Sequence, residues 1–364
     1  MKRKKRILVA MSGGLDSSLA AAILKRRGYD VVGATMRLWP KEGCGRDEVI
    51  GTCYSLRSIE DARRLAWKLK IPHHVFDFQN EFKNKVIDYF CNEYAGGFTP
   101  NPCIVCNQKI KFELLLEKVD EFGCDCMATG HYAKVGYDRL RKRYFIREGK
   151  DKNKDQSYFL SFISQRALAK TVFPLENMTK IKSRHLARNL KLKLHDKKSS
   201  QEVCFIRGRY SDYVTSKWGA DNFKAGDILN SKGEKIGRHK GIHFYTIGQR
   251  KGLGISYKEP LYVINIDIQR NTVTAGTKKE VMKRAFIVKH PHWGLIEDFK
   301  KPLKAMCRIR YNHKKAKAVI EKIGRRKLKA SFYEPQAAPT PGQAAVFYKN
   351  DKILAAGWID SVLE

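Results

Sequence analysis

Acidic residues are scarce in this chain of 364 residues: 37 Asp and Glu stand against 72 Lys and Arg, a formal net charge of +35. The imbalance points to a polyanionic partner, nucleic acid before others, because each phosphate neutralised releases condensed counterions. The plainer alternative is a lysine-rich source whose surfaces are all basic. The charge is spread along the chain rather than gathered in a tail, which favours a broad binding face over a disordered arm. Long hydrophobic runs are also missing. No stretch approaches a membrane span, and Ile7–Met11, behind the basic residues 1–6, is too short for the apolar core of a signal peptide, so a cytoplasmic chain is expected. Internal repeats and low-complexity segments are absent too. What is present is 43% hydrophobic residues, enough for proper cores, and a length that suits two or three domains. Nine cysteines, an odd number, suit catalysis, redox chemistry or metal binding better than a disulfide framework.

The first third alternates strand and helix signals. Short apolar runs at Ile7–Met11, Val31–Thr35, His74–Phe78 and Cys126–Thr129 read as buried parallel strands. Helical spacing fills the intervals: Leu19 to Leu24, Ile59–Leu69, Glu81–Tyr94 and, after a loop at 95–107, Ile110–Phe122. This is the βαβ rhythm of a parallel sheet covered on both faces. Residues 208–256 are rich in Gly, Lys and His with few long apolar runs. Thereafter the period changes to two. Leu261–Ile268, Ala305–Tyr311, Ala316–Ile320, Leu328–Phe332, Ala344–Tyr348 and Ile353–Ile359 read as short strands of a small antiparallel barrel or sandwich. The expected fold is α/β, with an N-terminal parallel-sheet catalytic domain (1–207), a small central tRNA-binding or linker domain (208–278) and a C-terminal antiparallel β-barrel (279–364).

Ile7–Met11 runs into Ser12-Gly13-Gly14-Leu15-Asp16-Ser17, and a helix starts at once. Two glycines let the backbone turn tightly and approach a ligand closely, and a helix N-terminus offers N–H groups and a positive dipole end to an anion. The loop lacks the Gly-Lys-Ser/Thr ending of a Walker A motif and the G-x-G-x-x-G of a dinucleotide fold. The remaining alternative is an ordinary helix cap. Downstream, Thr99-Pro100-Asn101-Pro102-Cys103-Ile104-Val105-Cys106-Asn107 forms a Pro-rich loop before a helix, where a cysteine thiol is acidified. A hundred residues on comes Ser199-Ser200-Gln201-Glu202-Val203-Cys204-Phe205. Singly these are weak signals, because a cysteine is more often a small buried hydrophobe.

Together they resemble the tRNA-specific 2-thiouridylases of the PP-loop ATP pyrophosphatase superfamily. Five blocks match in order: Ser12–Ser17; the Thr-Pro-Asn-Pro loop with Cys106-Asn107; Ala128-Thr129-Gly130-His131-Tyr132-Ala133; Lys154-Asp155-Gln156-Ser157-Tyr158-Phe159-Leu160; and Gly241 followed by Tyr245–Gly254. Arg310-Tyr311 and Pro341–Ala344 extend the similarity over essentially the whole chain. The resemblance implies replacement of the 2-oxygen of a tRNA wobble uridine by sulfur, using ATP with magnesium and releasing AMP and pyrophosphate. It implies that Ala10, Met11, Ser12, Gly13, Gly14, Leu15, Asp16, Ser17, Met36 and Gly130 hold ATP. Cys106 would be the nucleophile and Cys204 the carrier of a persulfide received from a sulfur donor, a cysteine desulfurase or a relay protein. Asn101, Pro102 and Cys103 would meet the target base, and His131, Lys154, Asp155, Gln156, Arg310, Tyr311 and Gln343 would contact tRNA.

Two positions depart from the family pattern. Many members have Asp where this chain has Cys103, and many have Asp at the place of Ser199. Cys103, Cys106 and Cys204 therefore make a trio of thiols, a donor set that suits a 4Fe–4S cluster with an open iron. Two sulfur-transfer steps stay open: a Cys204 persulfide resolved by Cys106, or sulfide delivered by a three-cysteine cluster, with zinc as a third use of the same donors. The other six cysteines, Cys44, Cys53, Cys91, Cys124, Cys126 and Cys307, look structural; for Cys44 and Cys53, in a Gly-rich loop, pairing or metal binding is the lesser alternative. Two other functions compete: an amidating or ligating synthetase, which uses the same loop but needs no paired thiols, and a noncatalytic RNA-binding protein, which the intact loop argues against.

Overall fold

The computed structural model describes residues 3–38, 56–192, 203–206 and 208–363. Cys44, Cys53 and the Ser199–Glu202 part of the second cysteine block lie outside the described residues. The chain forms two compact units, one of Met1–Val86, Cys103–Phe205 and Asp351–Ile353, the other of Ile87–Pro102, Ile206–Asn350 and Leu354–Glu364.

The first unit is built on a five-stranded parallel sheet. Its strands are β1 (Arg6–Ala10), β2 (Asp30–Arg37), β3 (His73–Asp77), β4 (Cys126–Ala128), a hairpin β5 (Ala133–Asp138) and β6 (Arg143–Glu148) outside the sheet, and β7 (Thr171–Val172); the sheet order is β3-β2-β1-β4-β7. Ile7, Leu8 and Val9 of β1 are fully buried, as a strand covered on both faces requires. Helix α1 (Leu15–Arg26) lays Leu15, Leu19 and Ala22 on the sheet, sharing a core with Ile7, Val9 and the Ala62–Leu65–Ala66 stripe of α2 (Leu56–Leu69). After the short α3 (Gln79–Phe82), α4 (Pro102–Val105) runs through wide π-type turns at Cys106–Leu114 into α5 (Leu115–Glu121). Finally α6 (Lys180–Asn189) packs on α1. Since β1 lies between β2 and β4, the strand order reverses beside it, and in open parallel sheets the crevice at the carboxyl ends of such strands is where ligands bind. Ser12–Ser17 leaves β1 at that end, and Thr129-Gly130 leaves β4 there.

One boundary differs from the sequence expectation. The helix does not wait for Ile110; it begins at Pro102, so Cys103 and Cys106 lie in its opening turns rather than in the loop before it. Proline at the first helical position forfeits no hydrogen bond and has its φ already set.

The second unit contains helix Asp88–Ala95 and α7 (Tyr210–Trp218), followed by strands β8 (Gly226–Leu229), β9 (Lys235–His239), β10 (Tyr262–Asp267) and β11 (Thr272–Gly276) in a sheet of order β10-β11-β8-β9. Ile228, Val263, Val273 and Tyr245 fill its core. Strands β12 (Met282–Trp293), β13 (Leu303–Arg308), β14 (Ala316–Gly324), β15 (Lys327–Ala337), β16 (Ala344–Lys349) and β17 (Lys352–Leu363) follow in the order β12-β15-β14-β13-β16-β17. Antiparallel pairing of β12 with β17 closes them into a barrel rather than a sandwich. Alternation places Leu328, Ala330 and Phe332 of β15 inside. Of the period-two runs, Leu261–Ile268 belongs to the smaller sheet, and the strand that completes the barrel is Met282–Trp293.

Candidate nucleotide and thiol site

The loop after β1 is wired to its own helix. Ser12 N donates to Ser17 Oγ at 3.1 Å, the two hydroxyls lie 3.2 Å apart, and Ser17 Oγ donates to Gly14 O at 3.1 Å. Gly14 is the N-cap of α1 and brings no side-chain oxygen to take up the first-turn N–H groups, which suits a site meant for an outside anion. Gly13 has φ +67°, and a β-carbon there would stand 2.1 Å from Ser58 O, so the turn needs glycine on both counts. The end of β1 is fixed by Thr35, whose hydroxyl donates to Met11 O at 2.7 Å and lies 2.8 Å from His73 Nε2. Burial, with the Arg63 charge second, lowers the His73 pKa to about 4, so its ring is neutral. Ala10, Met11, Leu15 and Met36 are buried along this edge. Gly130 touches the loop directly: a β-carbon there would lie 2.6 Å from Asp16 C and from Ser17 N.

Asp16 is the charged centre of the loop. Lys180 Nζ donates to Asp16 Oδ1 and Oδ2 at 2.7 and 2.6 Å, and the Tyr132 hydroxyl donates to Oδ1 at 2.8 Å. That hydroxyl also lies 2.9 Å from Ser183 Oγ. Burial, then the Asp16 charge, raises the Tyr132 pKa far above the phenol range, so the proton stays on the ring oxygen. Sequence reasoning missed Lys180, Ser183 and this use of Tyr132; no local signal marks a lysine as the partner of an aspartate 164 positions away.

In the opening turns of the α4–α5 helix Cys106 is buried and Cys103 is partly exposed, and their i, i+3 spacing sets them on one side of it. Asn107 Nδ2 donates to Phe159 O at 3.0 Å, which ties this turn to the Ser157–Leu160 segment. Cys204 is partly exposed. Its neighbour Phe205 meets Phe82 edge-on, with ring centroids 6.0 Å apart, and α3, which carries Phe82, packs against the turns that start at Cys106. Among the described residues no three His, Cys, Asp or Glu side chains are grouped to hold a metal ion, and Cys103, Cys106 and Cys204 are all described. Cys91, Cys124, Cys126 and Cys307 are buried, and burial raises the thiol pKa of Cys124, Cys126 and Cys307.

The residues expected at tRNA divide by what already holds them. Asp155 is buried and builds a turn: Oδ1 accepts from Gly149 N and Ser157 N at 3.0 and 3.1 Å, and Oδ2 accepts from the Ser157 hydroxyl at 2.8 Å. Gln156 Oε1 accepts from Tyr132 N at 2.9 Å. His131 lies 2.7 Å from Thr129 Oγ1 with Phe112 and Phe173 beside it, and burial lowers its pKa to about 3, so it offers no cation to a phosphate. Lys154, by contrast, is half-buried.

In the second unit, Arg310 Nη1 donates to Ala337 O at 3.0 Å. Gln343 Nε2 donates to Thr99 O and Pro100 O at 2.9 and 3.1 Å, while Thr99 N donates to Pro341 O at 2.9 Å. Gln343 thus holds the loop leading to Asn101 and Pro102. Gln343→Ala should cost about 1–2 kcal/mol of stability by orphaning two carbonyls. Gln343→Glu, which points a carboxylate at them, should cost more. Thermal unfolding of both variants checks that order, and equal midpoints would refute the loop-holding role.

Comparison with known proteins agrees in span and order. A family described as "tRNA methyl transferase HUP domain" matches residues 5–208, "tRNA methyl transferase PRC-barrel domain" matches 219–277, and "Aminomethyltransferase beta-barrel domain" matches 283–359. A protein of Clostridioides difficile named tRNA-specific 2-thiouridylase MnmA is 41% identical over 100% of this chain and 100% of its own length. Proteins of the same name from Geobacter metallireducens and Pelotomaculum thermopropionicum are 42% identical (100% of this chain, 98% of theirs) and 43% identical (98% of each).

Proposed function

The chain belongs to the tRNA-specific 2-thiouridylase family, and on that premise we propose that it converts the wobble uridine of tRNA to 2-thiouridine at the cost of ATP. The observation that carries this reading is the Ser12–Ser17 loop at the sheet's switch point, backed by Gly130, in a chain that also sets Cys106 in the opening turns of a helix. Methyl transfer has no use for a loop that receives a triphosphate, so the relatives' name, rather than the words of the family descriptions, guides the chemistry.

ATP's phosphates would meet the α1 N-terminus and the Ser12 and Ser17 hydroxyls, with magnesium entering as their counter-ion. The uridine 2-oxygen attacks the α-phosphorus and pyrophosphate leaves, which turns a poor leaving group into a good one. The terminal sulfur of a Cys204 persulfide then attacks C2 and AMP departs. Cys106 thiolate next attacks the Cys204 sulfur, forming a Cys106–Cys204 disulfide and leaving the thiocarbonyl on the base. A thiol reductant resets the pair, and a sulfur donor, a desulfurase or a relay protein, reloads Cys204. Among the described residues no three His, Cys, Asp or Glu side chains are grouped to hold a metal ion, and no step is routed through a cluster on Cys103, Cys106 and Cys204. The domains divide the work at 1–207, 208–278 and 279–364: catalysis in the first, and tRNA contacts from Asn101, Pro102 and Lys154 of the first together with the central domain and with Arg310 and Tyr311 of the last, where Gln343 holds the loop at Thr99 and Pro100. Reduced working thiols and a tRNA substrate suit the cytoplasm.

Nucleoside mass spectrometry of tRNA incubated with the protein, ATP and a sulfur source, with and without iron, tests the proposal. The expected product is 2-thiouridine with AMP in step, independent of added iron. AMP without a thiolated nucleoside would sink it, and strict iron dependence would restore the cluster.

A further inference from the structure

Asp16 poses an electrostatic problem for the loop. It sits in the first turn of α1, where a triphosphate is to be received, and a bare carboxylate there repels a polyanion. Lys180 meets both of its oxygens, at 2.7 and 2.6 Å, with only 11% of the lysine side chain exposed. The pair is not a loose surface contact. Lys180 opens α6, whose N-cap Thr179 accepts from Lys182 N, and Lys180 N itself donates to Asp151 Oδ2 at 2.8 Å. The ammonium also lies over the Tyr132 ring, 5.7 Å from its centroid. Tyr132 donates to the same carboxylate, and Ser183, one turn along α6, stands 2.9 Å from the Tyr132 hydroxyl. The first turn of α6 is thus committed to one side chain of the phosphate loop.

We propose that Lys180 is a positioning residue for the nucleotide: by clamping and neutralising Asp16 it makes the α1 N-terminus accept the triphosphate, with Tyr132 and Ser183 holding the clamp in place. The inference rests on the reading of Ser12–Ser17 as the ATP loop and adds a residue from outside that motif. An ion pair that served folding alone would change stability and leave the affinity of folded molecules for nucleotide untouched.

Equilibrium dialysis of the full-length protein with magnesium and a nonhydrolysable ATP analogue, run beside thermal unfolding, tests it. Lys180→Met should weaken binding about tenfold or more, because the carboxylate is left uncompensated. Lys180→Arg should keep most of the affinity. Adding Asp16→Asn to Lys180→Met should restore binding to the level of Asp16→Asn alone. Wild-type affinity in Lys180→Met overturns the proposal while the ATP reading stands. A weak Lys180→Met that Asp16→Asn fails to rescue shows the lysine acting on the nucleotide itself, which overturns neutralisation as its role. If the wild-type protein does not bind the analogue, the loop reading falls first. Should Lys180→Met not fold, Tyr132→Phe carries the test: it keeps the ring, removes one bond to Asp16, and is expected to weaken binding in the same direction by a smaller factor. Unchanged affinity there overturns the clamp.

Discussion

Cys204→Ser should leave tRNA-stimulated conversion of ATP to AMP running while 2-thiouridine formation falls by more than about a thousandfold. A serine hydroxyl cannot carry a sulfane sulfur, so the adenylated base has nothing to meet but water. Cys106→Ser should fail at a later point. The persulfide still attacks C2 and AMP still leaves, but nothing attacks the Cys204 sulfur to release the base. The protein should then accumulate joined to tRNA through a disulfide. A gel shift that resists urea and collapses with dithiothreitol measures this. Cys103→Ser separates the alternatives further: it should thiolate at near the wild-type rate if Cys103 only packs in the opening turn of the helix, and should fail like the other two if three thiols act together. Thiolation by Cys204→Ser at the wild-type rate would end the persulfide reading.

The parts of the site that sequence patterns exposed are those made by neighbours along the chain. Ser12–Ser17 closes on itself through bonds spanning three to five residues, so strand, glycine turn and helix start announce it. The parts that stayed hidden are long-range. Lys180 is 164 positions from Asp16, and Gln343 is 244 from Thr99; a Lys or Gln in either place reads as solvated surface. Gln343, Asp155 and Gln156 drew attention as tRNA contacts through the family, yet their side chains brace loops. The β pattern was legible as period two, but pairing is not written in alternation. Leu261–Ile268 joined the smaller sheet, where Val263 packs on Val273, and Met282–Trp293, interrupted by lysines and a bulge between Lys289 and His292, completed the barrel. The early helix start at Pro102 was hidden by reading a Pro-rich stretch as loop, although proline at the first helical turn is favoured.

Gly130→Ala is expected to weaken nucleotide binding severely with far less effect on folding. The added methyl would lie 2.6 Å from Asp16 C and Ser17 N and 2.8 Å from Asp16 O. These are backbone atoms, so no side chain can rotate away and the first turn of α1 itself must move. That turn supplies the N–H groups meant for the phosphates and carries the carboxylate that Lys180 and Tyr132 hold, and a shift of about 1 Å in such a site costs on the order of a hundredfold in rate. Gly13→Ala would be a poorer test, because φ +67° and a 2.1 Å approach to Ser58 O damage the fold as well. Gly130 has no such backbone demand, so the methyl's effect is confined to the contact between the end of β4 and the loop. Binding of the ATP analogue and tRNA-stimulated AMP formation should both fall by about a hundredfold or more in Gly130→Ala, with a thermal midpoint only a few degrees lower. Wild-type AMP formation in that variant would show that the phosphates do not depend on this turn, and would move the nucleotide away from Ser12–Ser17.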